Sequence, residues 1–193
     1  MEEIGIFFGT DSGTTRLIAK KIARNLKARL GDGVVGKPVN VNRASADDLL
    51  ACTALILGTP TYGEGVLPGK ASRNSEASWL EFLPALAGRD FTGIRVALFG
   101  LGDQEQYPDH FLNAMRDLYD FFSAAGAEMV GGSASAGFDF KSSRAVIGER
   151  FIGLALDQHL QHLLTDQRID DWLDEVVPLL LRRDAAGEAM ARG

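Results

Sequence analysis

Short apolar runs and stretches of helical period alternate along nearly the whole chain. Ile4-Gly5-Ile6-Phe7-Phe8, Ala54-Leu55-Ile56-Leu57-Gly58 and Ile94-Arg95-Val96-Ala97-Leu98-Phe99-Gly100 are almost continuously apolar, as strands buried on both faces must be. Between them, apolar side chains recur with a helical spacing, for example at Leu17, Ile18, Ala19, Ile22, Ala23 and Leu26. The pattern predicts strands over 3–8, 34–41, 54–59, 94–100 and 127–131, a last strand piece over 153–156, and helices over 14–30, 77–87, 109–125 and 166–183. Strands alternating with helices imply an α/β fold, a doubly wound five-stranded parallel sheet with helices on both faces. The Gly- and Ser-rich segment from Gly132 to Ile152 separates the 127–131 strand from the 153–156 piece and reads as a surface excursion, either a partner-docking element or a tolerated insertion. Residues 1–183 are expected to form one domain, followed by a polar tail over 184–193.

The first strand runs into Gly9-Thr10-Asp11-Ser12-Gly13-Thr14-Thr15 at the start of a helix. A helix N-terminus offers unpaired N–H groups and a partial positive charge to an anion. Glycines 9 and 13 let the backbone come close to a ligand, and Thr10, Ser12, Thr14 and Thr15 can donate hydroxyl hydrogen bonds. A triphosphate loop would need a lysine reaching the terminal phosphates, and none stands between Gly9 and Arg16. A dinucleotide fingerprint would need three spaced glycines where two stand. A single terminal phosphate held by neutral donors suits the loop, as does an ordinary turn without a ligand. Two further loops leave the carboxyl ends of strands, the edge where ligands bind in open parallel sheets. They are Thr59-Pro60-Thr61-Tyr62-Gly63-Glu64-Gly65 and Leu101-Gly102-Asp103-Gln104-Glu105-Gln106-Tyr107, each with a tyrosine that could stack on a flat heterocycle.

In these motifs the chain resembles the long-chain flavodoxins. Gly9 to Thr15 matches the family's phosphate loop, Gly58 to Gly65 and Phe99 to Gln104 with Tyr107 match its two flavin-flanking loops, and Gly153-Leu154-Ala155-Leu156-Asp157 matches near the end. The resemblance implies a flavodoxin-like fold, in which 127–131 and 153–156 are two pieces of a last strand interrupted by an insertion, and bound FMN. It assigns cofactor contacts to Thr10, Asp11, Ser12, Gly13, Thr14 and Thr15, to Thr59, Pro60, Thr61, Tyr62 and Gly63, and to Gly100, Leu101, Gly102, Asp103 and Tyr107. It further implies a one-electron carrier working on the semiquinone/hydroquinone couple, without catalytic residues or metal, in which the Gly63-Glu64 peptide turns to accept a hydrogen bond from the flavin. Leu67-Pro68-Gly69, Ser78-Trp79 and Phe82-Leu83-Pro84 resemble the flavodoxins that serve nitrogenase, which implies a reductase as donor, nitrogenase reductase as acceptor, and a monomer. The chain departs from the pattern at Tyr62, where many relatives carry tryptophan, and at Leu160, where asparagine is common. It departs again at Ser133-Ala134-Ser135-Ala136-Gly137-Phe138, where Ala136 supplies no carboxylate.

A length of 193 residues, 46% of them hydrophobic, provides an ample core for one domain. The net charge of -6 argues against nucleic acid as a partner and for a basic docking face. Glu64, Asp103, Glu105 and Asp109 gather near the proposed flavin edge, with Glu76 and Glu81 beyond. A carboxylate about 8 Å from reduced, anionic flavin raises its energy by roughly 2 kcal/mol at an effective dielectric near 20, somewhat under 100 mV toward stronger reducing power. No stretch has the length of a membrane span or the form of a secretory signal, so the expected location is the cytoplasm without membrane contact. Cys52, the lone cysteine, reads as a packing residue, His159 and His162 as a solvated pair, and His110 as helix surface. Two other functions share this fold. An FMN-dependent quinone or nitro reductase would need a hydride-donor site that no motif supplies. A non-redox signalling receiver would need acids at the end of the first strand, where Gly9-Thr10 stand.

Overall fold

In the computed structural model, which describes residues 4–10 and 12–182, five parallel strand positions lie in the order β2-β1-β3-β4-β5. These are β1 (Ile4–Phe8), β2 (Val39–Asn40), β3 (Ala54–Pro60), β4 (Arg95–Gly102) and β5 (Glu128–Val130). The interrupted last strand is present: β5 pairs with the first part of β4, and β9 (Leu154–Asp157) pairs with its second part, Phe99 to Gly102. The segment between them forms a small antiparallel sheet of β6 (Ser133–Ala134), β7 (Val146–Ile147) and β8 (Arg150–Phe151).

Alternation along the strands divides the core into two layers. Ile4, Ile6, Ala54, Ile56, Ala97 and Phe99 face α1 (Thr14–Leu30) and α5 (Thr165–Leu180). Phe7, Leu55, Leu57, Val96 and Leu98 face α2 (Ala46–Leu50), α3 (Trp79–Ala85) and α4 (Asn113–Ala124). Helix α1 buries Ile18, Ile22 and Leu26, each contributing about 1.5–3 kcal/mol relative to exposure. Leu17, predicted on the same stripe, is instead 57% exposed on the first turn. Lys21, Asn25 and Arg29 of α1 reach Asp166, Asp170 and Asp174 of α5, which sets the two helices side by side.

Two predicted boundaries change, and one helix is added. The second strand, expected over 34–41, keeps an isolated bridge at Val35 but runs as a strand only over Val39–Asn40, because Pro38 between them has no N–H to give the ladder. The helix expected from residue 109 begins at Asn113, after Leu112 with φ 59°, so His110 lies in the preceding turn rather than on helix surface. Helix α2 was not anticipated. It is nucleated by a capping box in which the Asp48 carboxylate accepts from the Ser45 N–H and hydroxyl, both at 2.7 Å. Those bonds hold the Asp48 carboxyl below its ordinary range. Its contribution is therefore complete above the unfolded carboxylate pKa and lost as pH falls through the lower folded value. Ser45→Ala is expected to cost about 1 kcal/mol near neutral pH in urea unfolding, with the gap to the parent narrowing in acid to what the Asp48 N–H bond to the Ser45 hydroxyl contributes. Cys52 is buried, with its Sγ packed over Gly5. The tail predicted for 184–193 lies outside the described residues.

Candidate functional site

Four strand ends meet at one edge of the sheet. The loop from β1 into α1, the ends of β3 and β4, and the loop after β9 enclose a cavity of about 350 Å³. Its lining includes Thr10, Ser12, Thr14 and Thr15 from the first loop, Pro60 and Thr61 from the second, and Leu101, Gly102, Asp103 and Tyr107 from the third. The parallel register explains the convergence: Gly9 N–H donates to Gly58 O at 2.9 Å and Thr61 N–H to Leu101 O at 2.9 Å, so the three loops leave the sheet level with one another.

Gly13 caps α1 with φ 90°, a conformation that costs glycine little, and its missing side chain supplies no cap. No acid stands in the first turn either, so the N-terminal N–H groups of α1 are left to whatever enters the cavity. The Thr10 hydroxyl accepts from the Gly13 N–H at 3.0 Å, and the Ser12 and Thr14 hydroxyls lie 3.2 Å apart. Behind this loop Trp79, fully buried, donates from Nε1 to Gly58 O at 2.9 Å and closes the space beside Gly9. On the other wall Asp103 Oδ1 accepts the N–H groups of Glu105 and Gln106 at 3.1 and 2.9 Å, and Tyr107 N–H donates to Asp103 O at 3.0 Å.

Not every predicted contact lines the cavity. Gly13 sits between lining residues, Thr59 is buried beneath the edge, and Gly100 packs toward Met115 and Leu112 of the opposite layer. Tyr62 and Gly63 stand on the adjoining turn, where Tyr62 pairs with Val66 through bonds of 3.0 Å in both directions. Asp11 lies outside the described residues. The acids divide in the same way. Asp103 lines the cavity, Glu64 and Glu105 are exposed, and Asp109 lies 3.8 Å from Lys141. Glu76 takes the Asn42 amide, and Glu81 accepts the N–H groups of Ser78 and Lys70, so both organise the entry to α3.

Gln158 and His159 also line the cavity and were missed in the sequence. Their signal was positional, since they directly follow the last parallel strand at the same sheet edge. His159 is exposed, as expected, but at the rim of this cavity.

Fold and loops together define a doubly wound α/β protein with a hydroxyl-lined cavity at the carboxyl edge of its sheet. The flavodoxin family model matches residues 6–172, and the chain belongs to the flavodoxin family. A flavodoxin of Klebsiella pneumoniae is 48% identical over 176 residues, 91% of this chain and 97% of that protein. A flavodoxin of Enterobacter agglomerans is 46% identical over 182 residues, 94% of this chain and 100% of its own length. The solved Fusobacterium nucleatum flavodoxin bound to flavin mononucleotide superposes with a TM-score of 0.80 at 34% identity, covering 93% of this chain and 99% of that one. Flavodoxins are electron-transfer flavoproteins without a substrate of their own, which sets aside the reductase and signalling readings.

Proposed function

We propose that residues 1–183 act as one FMN-binding unit that carries single electrons in the cytoplasm, as a monomer, from a reductase to nitrogenase reductase. The observation that carries the FMN reading is the cavity itself, with hydroxyls at the N-terminus of α1 on one wall and Tyr107 on the other. The residues present fit the group. Thr61 Oγ1, on a residue of the cavity wall, is buried without a hydrogen-bond partner among the described residues, and such a hydroxyl is costly unless a bound group satisfies it.

Bound FMN supplies the redox centre. Thr10, Ser12, Thr14 and Thr15, with Asp11 and Gly13 between them, hold its phosphate at the helix N-terminus. Pro60, Thr61, Leu101, Gly102, Asp103 and Tyr107 hold its ring and exclude water from one side, with Thr59, Tyr62, Gly63 and Gly100 shaping the same loops. No side chain needs to move a proton or form a bond; the chain's task is to bind, orient and bias the charge. Asp103 opposes negative charge on the ring, so Asp103→Asn is expected to raise the midpoint potential by about 50 mV, below the somewhat under 100 mV of an unscreened charge because water reaches the site. An unchanged potential in a spectroelectrochemical titration would remove Asp103 from this role.

The nitrogenase reading is supported by Leu67 to Gly69 and Ser78 to Pro84, which build α3 and its approach beside the phosphate loop. The test is stepwise anaerobic reduction of the FMN-loaded protein, followed by mixing with oxidised nitrogenase reductase. Uptake of one electron at a time and transfer to that acceptor support both parts. One-electron uptake without transfer leaves the carrier and removes the acceptor.

A further inference from the structure

The strand ending at Asp157 matches the family pattern, yet Asp157 does not line the cavity. It is 1% exposed, and its carboxylate accepts four N–H groups. Oδ2 takes the Gln104 backbone N–H at 3.2 Å and its Nε2 at 2.8 Å, while Oδ1 takes the N–H groups of His159 at 2.8 Å and Leu160 at 2.9 Å. Gln104, 3% exposed, uses its other end as well: Oε1 accepts the Asp139 N–H at 2.6 Å. Two buried side chains thus join three segments: the loop carrying Asp103 and Tyr107, the loop carrying Gln158 and His159, and the insertion.

The ladder between β4 and β9 ends at the pair Gly102 and Asp157. Beyond that pair no backbone pairing holds the two loops at a fixed spacing, and the side-chain bonds take over. From α5 a cation faces the same point. Arg168 lies 4.0 Å over the Phe138 ring and donates to Gln161 Oε1 at 2.6 Å; burial lowers its pKa, and the charge of Asp157 opposes that shift.

We infer that Asp157 and Gln104 are a positioning pair, which sets the distance between two walls of the cofactor cavity and ties the insertion to it. This rests on the FMN reading above. An ionised carboxylate has about four acceptor sites, and this one uses four. In Asp157→Asn the amide nitrogen would face two Gln104 donors, and Gln104 could turn its own amide only by abandoning the Asp139 N–H. Gln104→Met keeps the volume and the backbone bond but removes both side-chain links.

The experiment compares the full-length parent with Asp157→Asn and Gln104→Met by amide hydrogen exchange without FMN, then by titration with FMN. Exchange is expected to rise over 103–107, 137–139 and 158–160 while α1 and β1 keep their protection. The FMN Kd is expected to rise about tenfold, the equivalent of about 1.4 kcal/mol. The double variant Asp157→Asn/Gln104→Glu moves the carboxylate to the other side, where it again accepts from the amide and from Asp139 N–H, and should recover part of the affinity lost in Asp157→Asn; the rest stays lost because the residue-104 backbone N–H still faces the amide nitrogen. Should Asp157→Asn not fold, Gln104→Met decides alone. Unchanged exchange, a uniform rise across all segments, or an unchanged Kd overturns the inference. If the parent itself does not bind FMN while the three segments loosen together in the variants, the FMN reading fails and a loop brace remains.

Discussion

Removing the hydroxyls of Thr10, Ser12 and Thr14 together is expected to weaken FMN binding about a thousandfold and to leave riboflavin binding nearly unchanged. A hydrogen bond to a charged group contributes about 1.5–3 kcal/mol, and three neighbouring bonds at the low end, allowing for their coupling, give about 4 kcal/mol or a factor near a thousand. The two ligands differ only in the phosphate, so their comparison isolates the loop from the ring site. Thr15 is left intact because it is 1% exposed and packs in the core as well as lining the cavity. Thr10 also accepts the Gly13 N–H at 3.0 Å, so Thr10→Ser, which keeps the hydroxyl, is the control for loosening of the turn. Flavin fluorescence quenching measures both affinities. A parallel loss for riboflavin would move these hydroxyls from the phosphate to the ring.

The largest effect on stability is expected at Gly58. It lies in register with Phe8 on one side and Phe99 on the other, and the Phe99 ring crosses it so closely that a Cβ would fall 1.9 Å from Cζ. Phe99 is fully buried and its ring has nowhere to swing. The Gly58 carbonyl also accepts from both Gly9 N–H and Trp79 Nε1, each at 2.9 Å, so displacement of this strand reaches the phosphate loop. Gly58→Ala is expected to cost about 3 kcal/mol through overpacking, which lowers the thermal midpoint by roughly 6–12 °C in a domain of this size. FMN affinity should fall with it. Gly33→Ala, where a Cβ would meet nothing within 4 Å, is the matched control and should melt near the parent. A Gly58→Ala protein that melts with the control would show that Phe99 does not pack across Gly58.

What the sequence determined by itself was local and periodic. The helical spacing of Ile18, Ile22 and Leu26 delivered α1 at Thr14–Leu30, and the unbroken apolar runs delivered β1, β3 and β4. Loops that follow parallel strands must open at one edge, so the convergence of Thr10, Thr61 and Tyr107 was legible in the sequence. The broken last strand was legible through the family resemblance, with the glycine and serine content between residues 132 and 152 marking the excursion.

Tertiary structure decided where bonds join distant residues. Helix α4 starts at Asn113 because the insertion engages the preceding turn: Lys141 and Ser142 donate to Pro108 O, Ser143 to Phe111 O, and Arg144 N–H to Asn113 Oδ1. The same docking packs Phe111 against Phe138, Phe140 and Phe151. Tyr107 lines the cavity, whereas Tyr62 stands on a neighbouring turn closed by a backbone bridge to Val66, a difference of loop closure rather than of residue type. Asp157 and Gln104 stand far apart in the chain and meet only when β9 completes the edge of β4. Periodicity reports which face of an element is buried; a bond between two loops leaves no repeat in either, so only the folded chain could bring these groups together.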